Sequence, residues 1–138
     1  MPCSVFRIGV LVAGALSVAP IAAAQAGGPA PSWKLVYQDA QTAYYVDAAP
    51  GPKSGEFTTA SLIQYKVAQV VGASQVWSMV SHMKVDCDQR EIMTIDNILY
   101  ASKMGTGPIV QSQLSSDNWH TPQPDSLGGL IWNAACGK

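Results

Sequence analysis

The chain has 138 residues, with eight basic and nine acidic side chains for a net charge of −1, and it is 48% hydrophobic but only 12% charged. A chain so apolar and so sparingly charged folds rather than staying disordered. It carries no run of like charge, which excludes the electrostatic footprint of a nucleic-acid binder or a polybasic membrane binder.

Residues 1–26 read as an export signal. Arg7 and the amino terminus precede an apolar run from Ile8 to Ala19, Pro20 ends it, and Ala24-Gln25-Ala26 offers a small-x-small cleavage pattern. Cleavage there starts the mature chain at Gly27, and Ala22-Ala23-Ala24 permits a start at Gln25. The run is about 12 residues, short of the ~20 that cross a bilayer, so no stable membrane insertion is expected after cleavage. No cysteine stands at the cleavage point to carry a lipid. Loss of residues 1–26 leaves 112, one domain with a modest core, and loss of Arg7 shifts the net charge to −2.

Cys3 leaves with the signal, so Cys87 and Cys136 remain, 49 residues apart. Two cysteines in an oxidising compartment pair, the alternative being two buried thiols. Closing a loop of that length stabilises the fold by about 4 kcal/mol.

Residues 27–32, Gly-Gly-Pro-Ala-Pro-Ser, form a turn-rich flexible arm, and the domain spans 33–138. Trp33 to Tyr37 alternates apolar and polar residues as a strand, and Thr42 to Asp47 returns as its hairpin partner after Asp39-Ala40-Gln41. A Pro/Gly-rich loop covers Ala48 to Glu56. Phe57 to Val70 then keeps period two, with Ile63, Tyr65 and Val67 on one face. A helix over Ser61 to Val71 competes on spacing, but Thr58, Thr59, Val67, Val70 and Val71 favour a strand. Val76 to Cys87 and Gln89 to Tyr100 supply two more strands. Trp77, Met79, Met83, Val85 and Cys87 fall on one face of the first. Gly105 to Pro108 turns into a sixth strand, Ile109 to Leu114.

The period then changes. Pro124-Asp125-Ser126 starts a helix, and Leu127, Leu130, Ile131, Ala134 and Ala135 stripe one side of it. Gly128 and Gly129 each cost such a helix about 1 kcal/mol relative to alanine. About ten residues of helix do not stand alone in water, so the element must be held against the sheet, with Cys136 as its tether. The sum is an α+β fold: one antiparallel sheet of about six strands with a C-terminal helix tied to one face.

Catalytic chemistry finds little support. There are two histidines, His82 and His120, and no nucleophile elbow or phosphate-binding loop. His82, Lys84 and Asp86 share a strand face. A small metal-dependent enzyme using His82 and His120 is therefore one alternative, set against a solvated polar face. No cofactor is expected. Among the aromatics, Tyr44 and Tyr45 are adjacent and must point opposite ways, so one of them should be exposed. Trp132 lies off the helix stripe and should be exposed too. Tyr44, Tyr45 and Trp132 are thus the candidate interface anchors.

In order along the chain stand Trp-Lys-Leu-Val-Tyr (33–37), Tyr-Tyr-Val-Asp (44–47), Val-Asp-Cys-Asp-Gln-Arg (85–90), Trp119, Pro-Asp-Ser (124–126) and a terminal Cys-Gly-Lys. That series resembles the surface-adhesin protein E family of Gram-negative bacteria over Trp33 to Lys138. The strand after the long loop lacks the tryptophan expected of such proteins. The resemblance implies a six-stranded antiparallel sheet whose concave face holds a disulfide-tied C-terminal helix, and a binding role at the cell envelope. The expectation is an exported, non-enzymatic protein-binding module, located in the periplasm or at the cell surface, with an extracellular or host protein as partner and no nucleic acid. The alternative from another class is a periplasmic structural component that forms a homodimer by pairing an exposed sheet edge with a second copy.

Overall fold

The computed structural model describes residues 30–48 and 54–138. The export signal, and residues 27–29 of the arm, lie outside the described residues. Six strands run in sequence order across one antiparallel sheet: β1 (Trp33–Gln38), β2 (Thr42–Asp47), β3 (Glu56–Val71), β4 (Ser74–Asp86), β5 (Glu91–Tyr100) and β6 (Ile109–Leu114). A single 3-10 turn, Lys103–Gly105, joins the last two, and helix α1 (Leu127–Cys136) closes the chain. Every neighbour in the sheet is a neighbour in sequence, so each pairing is reached by a short connection.

Local chemistry fixes the connections. In the β1–β2 turn the Asp39 carboxylate accepts the amides of Gln41 at 2.7 Å and Thr42 at 2.8 Å, and these bonds hold its pKa below the ordinary value. Between β3 and β4, Val71 faces Ser74 across the two residues Gly72 and Ala73. Gly72 has φ +62°, a value that favours glycine in so short a hairpin turn. The segment 61–71 is strand throughout, so β-branched content prevailed over the helical stripe. After β4, Asp86 accepts the amides of Asp88 and Gln89, both at 2.9 Å, and Asp88 accepts the Gly55 amide at 3.0 Å. These two carboxylates hold backbone rather than forming a catalytic pair.

Both faces of the sheet carry apolar clusters. On one, Val46, Met83, Val85, Cys87 and Ile92 pack under Ile131, Trp132 and Cys136 of α1. On the other, Ala60, Leu62 and Val80 are partly covered by Trp33, Tyr45, Tyr100 and Met104. Cys87 and Cys136 form the expected disulfide, with a Cα–Cα distance of 5.7 Å. The bond joins the end of β4 to the end of α1.

Leu127, Ile131, Ala134 and Ala135 of the expected stripe do pack on the core, but the helix is turned so that Trp132 is buried with them. Trp132 is only 4% exposed, so the expectation of an exposed interface tryptophan is corrected. Its Nε1 donates to the Asp86 carbonyl at 3.0 Å, and the Arg90 guanidinium lies 5.0 Å from its ring centroid. The cause is the tether. Cys136 must point at the sheet, and residue 132, four positions earlier, lies on the same side of a helix. The glycines fit this rotation. A Cβ on Gly128 would meet the Ile92 Cδ1 at 3.1 Å, and one on Gly129 would run into the carbonyls of Gln123 and Pro124. Ser126 caps the helix by accepting the Gly129 amide at 3.2 Å.

Candidate binding surface

The helix covers only part of its face. Register defines what remains, together with Val46, Ser61 and Ser81, which are already buried at its border. Tyr44, Ile63, Met79, Leu99 and Gln111 stand opposite one another from β2 to β6, and so do Val46, Ser61, Ser81, Asn97 and Gln113. The two rows are two residues apart on every strand, so all ten side chains share the α1 face. Five strands spaced about 4.8 Å apart make this surface about 19 Å across. None of the ten residues is Asp, Glu, His, Lys or Arg.

Three hollows follow these rows. Beside α1, Tyr44, Ser61, Ile63, Ser81, Met83 and Ile131 contribute to a cavity of about 270 Å³. One of about 230 Å³ lies between Tyr37, Tyr44 and Leu127, and one of about 200 Å³ is lined by Met79, Asn97, Leu99, Gln111 and Gln113. Tyr44 borders the first two and stacks at 5.8 Å on Tyr37. The Ser81 hydroxyl donates to Asn97 Oδ1 at 2.6 Å, linking the first to the third. Together they form a groove that offers apolar, amide and hydroxyl surface, with Asp117 and His120 lining the first hollow and Asp125 the second.

Charge enters at the rim. Asp117 accepts the Thr94 amide at 3.1 Å on Oδ2 and the Asn118 amide at 2.9 Å on Oδ1, and His120 Nδ1 lies 3.5 Å from Oδ1. The Thr94 bond foremost, with the Asn118 bond and the nearby imidazole adding to it, holds the Asp117 carboxyl below its ordinary value. This Asp117 anchor ties the segment after β6 along β5, where His120 and Ile92 exchange backbone bonds of 2.9 and 3.1 Å.

The opposite face is built differently. His82 Nδ1 is 2.7 Å from Asp96, and Lys84 Nζ is 3.0 Å from Glu56. His82 also borders a hollow of about 450 Å³ with Trp33, Val80, Tyr100 and Met104. His82 and His120 therefore lie on opposite faces of the sheet, and the alternative of a metal site shared by them is corrected. Among the described residues no three His, Cys, Asp or Glu side chains are grouped to hold a metal ion. Tyr44 and Tyr45 do point opposite ways, each half-buried. Tyr44 lines the groove, whereas Tyr45 packs on the Ala60–Leu62–Val80 cluster.

Periodicity picked out Tyr44, but it did not reveal Ile63, Met79, Leu99, Asn97, Gln111 and Gln113 as one surface. Their only common signal is register across five strands.

The family model described as surface-adhesin protein E matches residues 33–137, from the first residue of β1 to the residue after α1. The chain belongs to the surface-adhesin protein E family. Among solved structures it is similar to the crystal structure of protein E from non-typeable Haemophilus influenzae, at 12% identity and a TM-score of 0.56. That likeness covers 75% of this chain and 71% of the other, and it shows a shared fold. No curated protein matches the chain. The sheet, the C-terminal helix and the disulfide expected of an adhesin-E-like domain are all present.

Proposed function

We propose that this protein is an exported, non-enzymatic protein-binding module of the bacterial cell envelope, and that the groove beside α1 receives its partner. The family match over residues 33–137 carries the reading. The groove supports its location: its apolar side chains provide area for burial, and its hydroxyls and amides fix orientation at less desolvation cost than charged groups would. Tyr44 is the aromatic anchor in this reading, while Tyr45 and Trp132 serve the fold. Residues 1–26 act as the export signal, and the domain from residue 33 onward is the working unit. The partner is an extracellular protein met at the cell surface.

Two measurements test this. Protease shaving of intact cells should remove the protein from its surface, and a chain protected until the outer membrane is opened would contradict the surface role. Mature protein on a sensor should bind members of a panel of purified extracellular proteins. Because the two rows of side chains that make the groove hold no Asp, Glu, His, Lys or Arg, and charge is confined to Asp117, His120 and Asp125 at the helix side, raising salt from 0.15 M to about 1 M should change that affinity by less than about threefold. Tyr44→Ala should weaken it by about tenfold or more, the loss of one buried aromatic anchor. Binding that disappears in salt and ignores Tyr44→Ala would place the contact elsewhere.

A further inference from the structure

The hollow of about 450 Å³ on the face opposite α1 has a composition of its own. It brings together one imidazole (His82), one thioether (Met104) and two aromatic rings (Trp33 and Tyr100), with no Asp, Glu, Lys or Arg side chain in its lining. The imidazole is oriented from behind. His82 and Asp96 are register partners on β4 and β5, and His82 Nδ1 lies 2.7 Å from Asp96 Oδ1. A carboxylate can only accept, so Nδ1 carries the proton and the lone pair is left on Nε2. A metal-ligating histidine is held in the same way, its other ring nitrogen donating to a carboxylate.

The thioether is fixed by its backbone. Met104 has φ +58°, a left-handed conformation that residues other than glycine rarely adopt and that collects at ligand sites. Two bonds impose it: the Met104 amide donates to Gln64 Oε1 at 2.7 Å, and the Gly105 amide to the Ser78 hydroxyl at 2.9 Å. The turn is seated so closely that a Cβ on Gly105 would meet Val80 Cγ2 at 2.7 Å. Met104 is thereby packed against the Ala60–Leu62–Val80 cluster. Ala60 is the register partner of His82 on β3, and Val80 stands two residues before it on β4. Imidazole and thioether thus border one patch of sheet. An ion pair on a solvated face needs neither a methionine held in this way nor aromatic walls.

We infer that this hollow binds a soft monovalent cation, copper(I), through His82 Nε2 and the Met104 sulfur. Thioether sulfur selects copper(I), whereas calcium and magnesium take oxygen ligands. Zinc needs a closed tetrahedral set of imidazoles, thiolates or carboxylates, and among the described residues no three such groups are gathered. A soft cation is held at lower coordination number, and the faces of Trp33 and Tyr100 supply further attraction while keeping water from the ion. The site lies on the face opposite the groove, so it is independent of the adhesive reading.

Silver(I), with the same charge and softness and no need of a reductant, is the probe. It is added in chloride-free buffer to the untagged mature protein, with native mass spectrometry counting bound ions and calorimetry giving the affinity. The wild type should take up one ion per chain with a Kd on the order of 1 μM or tighter, and zinc(II) should not displace it. Met104→Leu conserves volume and removes only the sulfur, so it should keep the wild-type circular dichroism and weaken binding by about tenfold or more. His82→Ala should weaken it as much, and Asp96→Asn, which touches the ion only through His82, by about tenfold. His120→Ala and Met79→Leu, on the α1 face, should leave it unchanged. A wild type that binds no single ion, or binding that survives Met104→Leu, overturns the proposal.

Discussion

The α1 face of the sheet divides into a covered half and an open half, built from the same strands with the same alternation. Under α1, the strands present Val46, Met83, Val85 and Ile92 to Trp132, Ile131 and a disulfide. Further along the same strands, Ile63, Met79 and Leu99 stand in one row beside a row of serine, asparagine and glutamine, and among the described residues α1 reaches only its near end, at Ile63. The covered half is closed by side chains that can only be buried. The open half mixes apolar area with groups that bond equally well to water or to a partner. One face thus serves both stability and recognition, and the helix marks the border between them.

The sharpest way to break the covered half is Trp132→Ala. It removes a side chain that is 4% exposed, an indole bond to Asp86 and the ring under Arg90. Unfolding in urea should show a loss of about 3–5 kcal/mol. An exposed tryptophan, as the helix stripe alone suggested, would cost less than about 0.5 kcal/mol.

Gly129→Ala separates the two readings of the helix by sign. Helix propensity alone predicts a gain of about 1 kcal/mol. Contact with the carbonyls of Gln123 and Pro124 predicts instead a loss of about 1–3 kcal/mol, since the methyl has no room without moving backbone. A raised melting temperature in this variant would remove the close approach from the account.

The open half should respond the other way. Leu99→Gln exchanges a half-buried residue lining the groove for an amide like its neighbour Gln111. Its effect on stability should stay below about 1 kcal/mol. A loss as large as that of Trp132→Ala would mean that this half is core and not a binding surface.

Much of this division was legible in the sequence. Period two, the turn residues and cysteine counting gave all six strands, the helix and its tether nearly to the residue. The rotation of α1 was misread because the stripe Leu127, Leu130, Ile131, Ala134 and Ala135 was scored on hydrophobicity alone. The correcting signal was present in the chain: a cysteine that must point inward carries the residue four positions before it inward as well. The groove was hidden for a different reason. Alternation assigns side chains to a face within one strand, but only register decides which residues of five strands stand in one row. Nor did sequence patterns assign the 3-10 turn to the opposite face. Its place there depends on the amides of Met104 and Gly105 meeting Gln64 at 2.7 Å and Ser78 at 2.9 Å.

The central claim is that the Cys87–Cys136 bond holds α1 on its half of the sheet. Amide hydrogen exchange in Cys136→Ser tests it most directly. The variant should lose about 2–5 kcal/mol of global stability. In addition, amides of Leu130 to Cys136 should exchange well before those of β3 and β4, which retain their ladder on both sides. Helix amides as protected in Cys136→Ser as in the wild type, relative to the strands, would show that packing alone docks the helix and would contradict the claim.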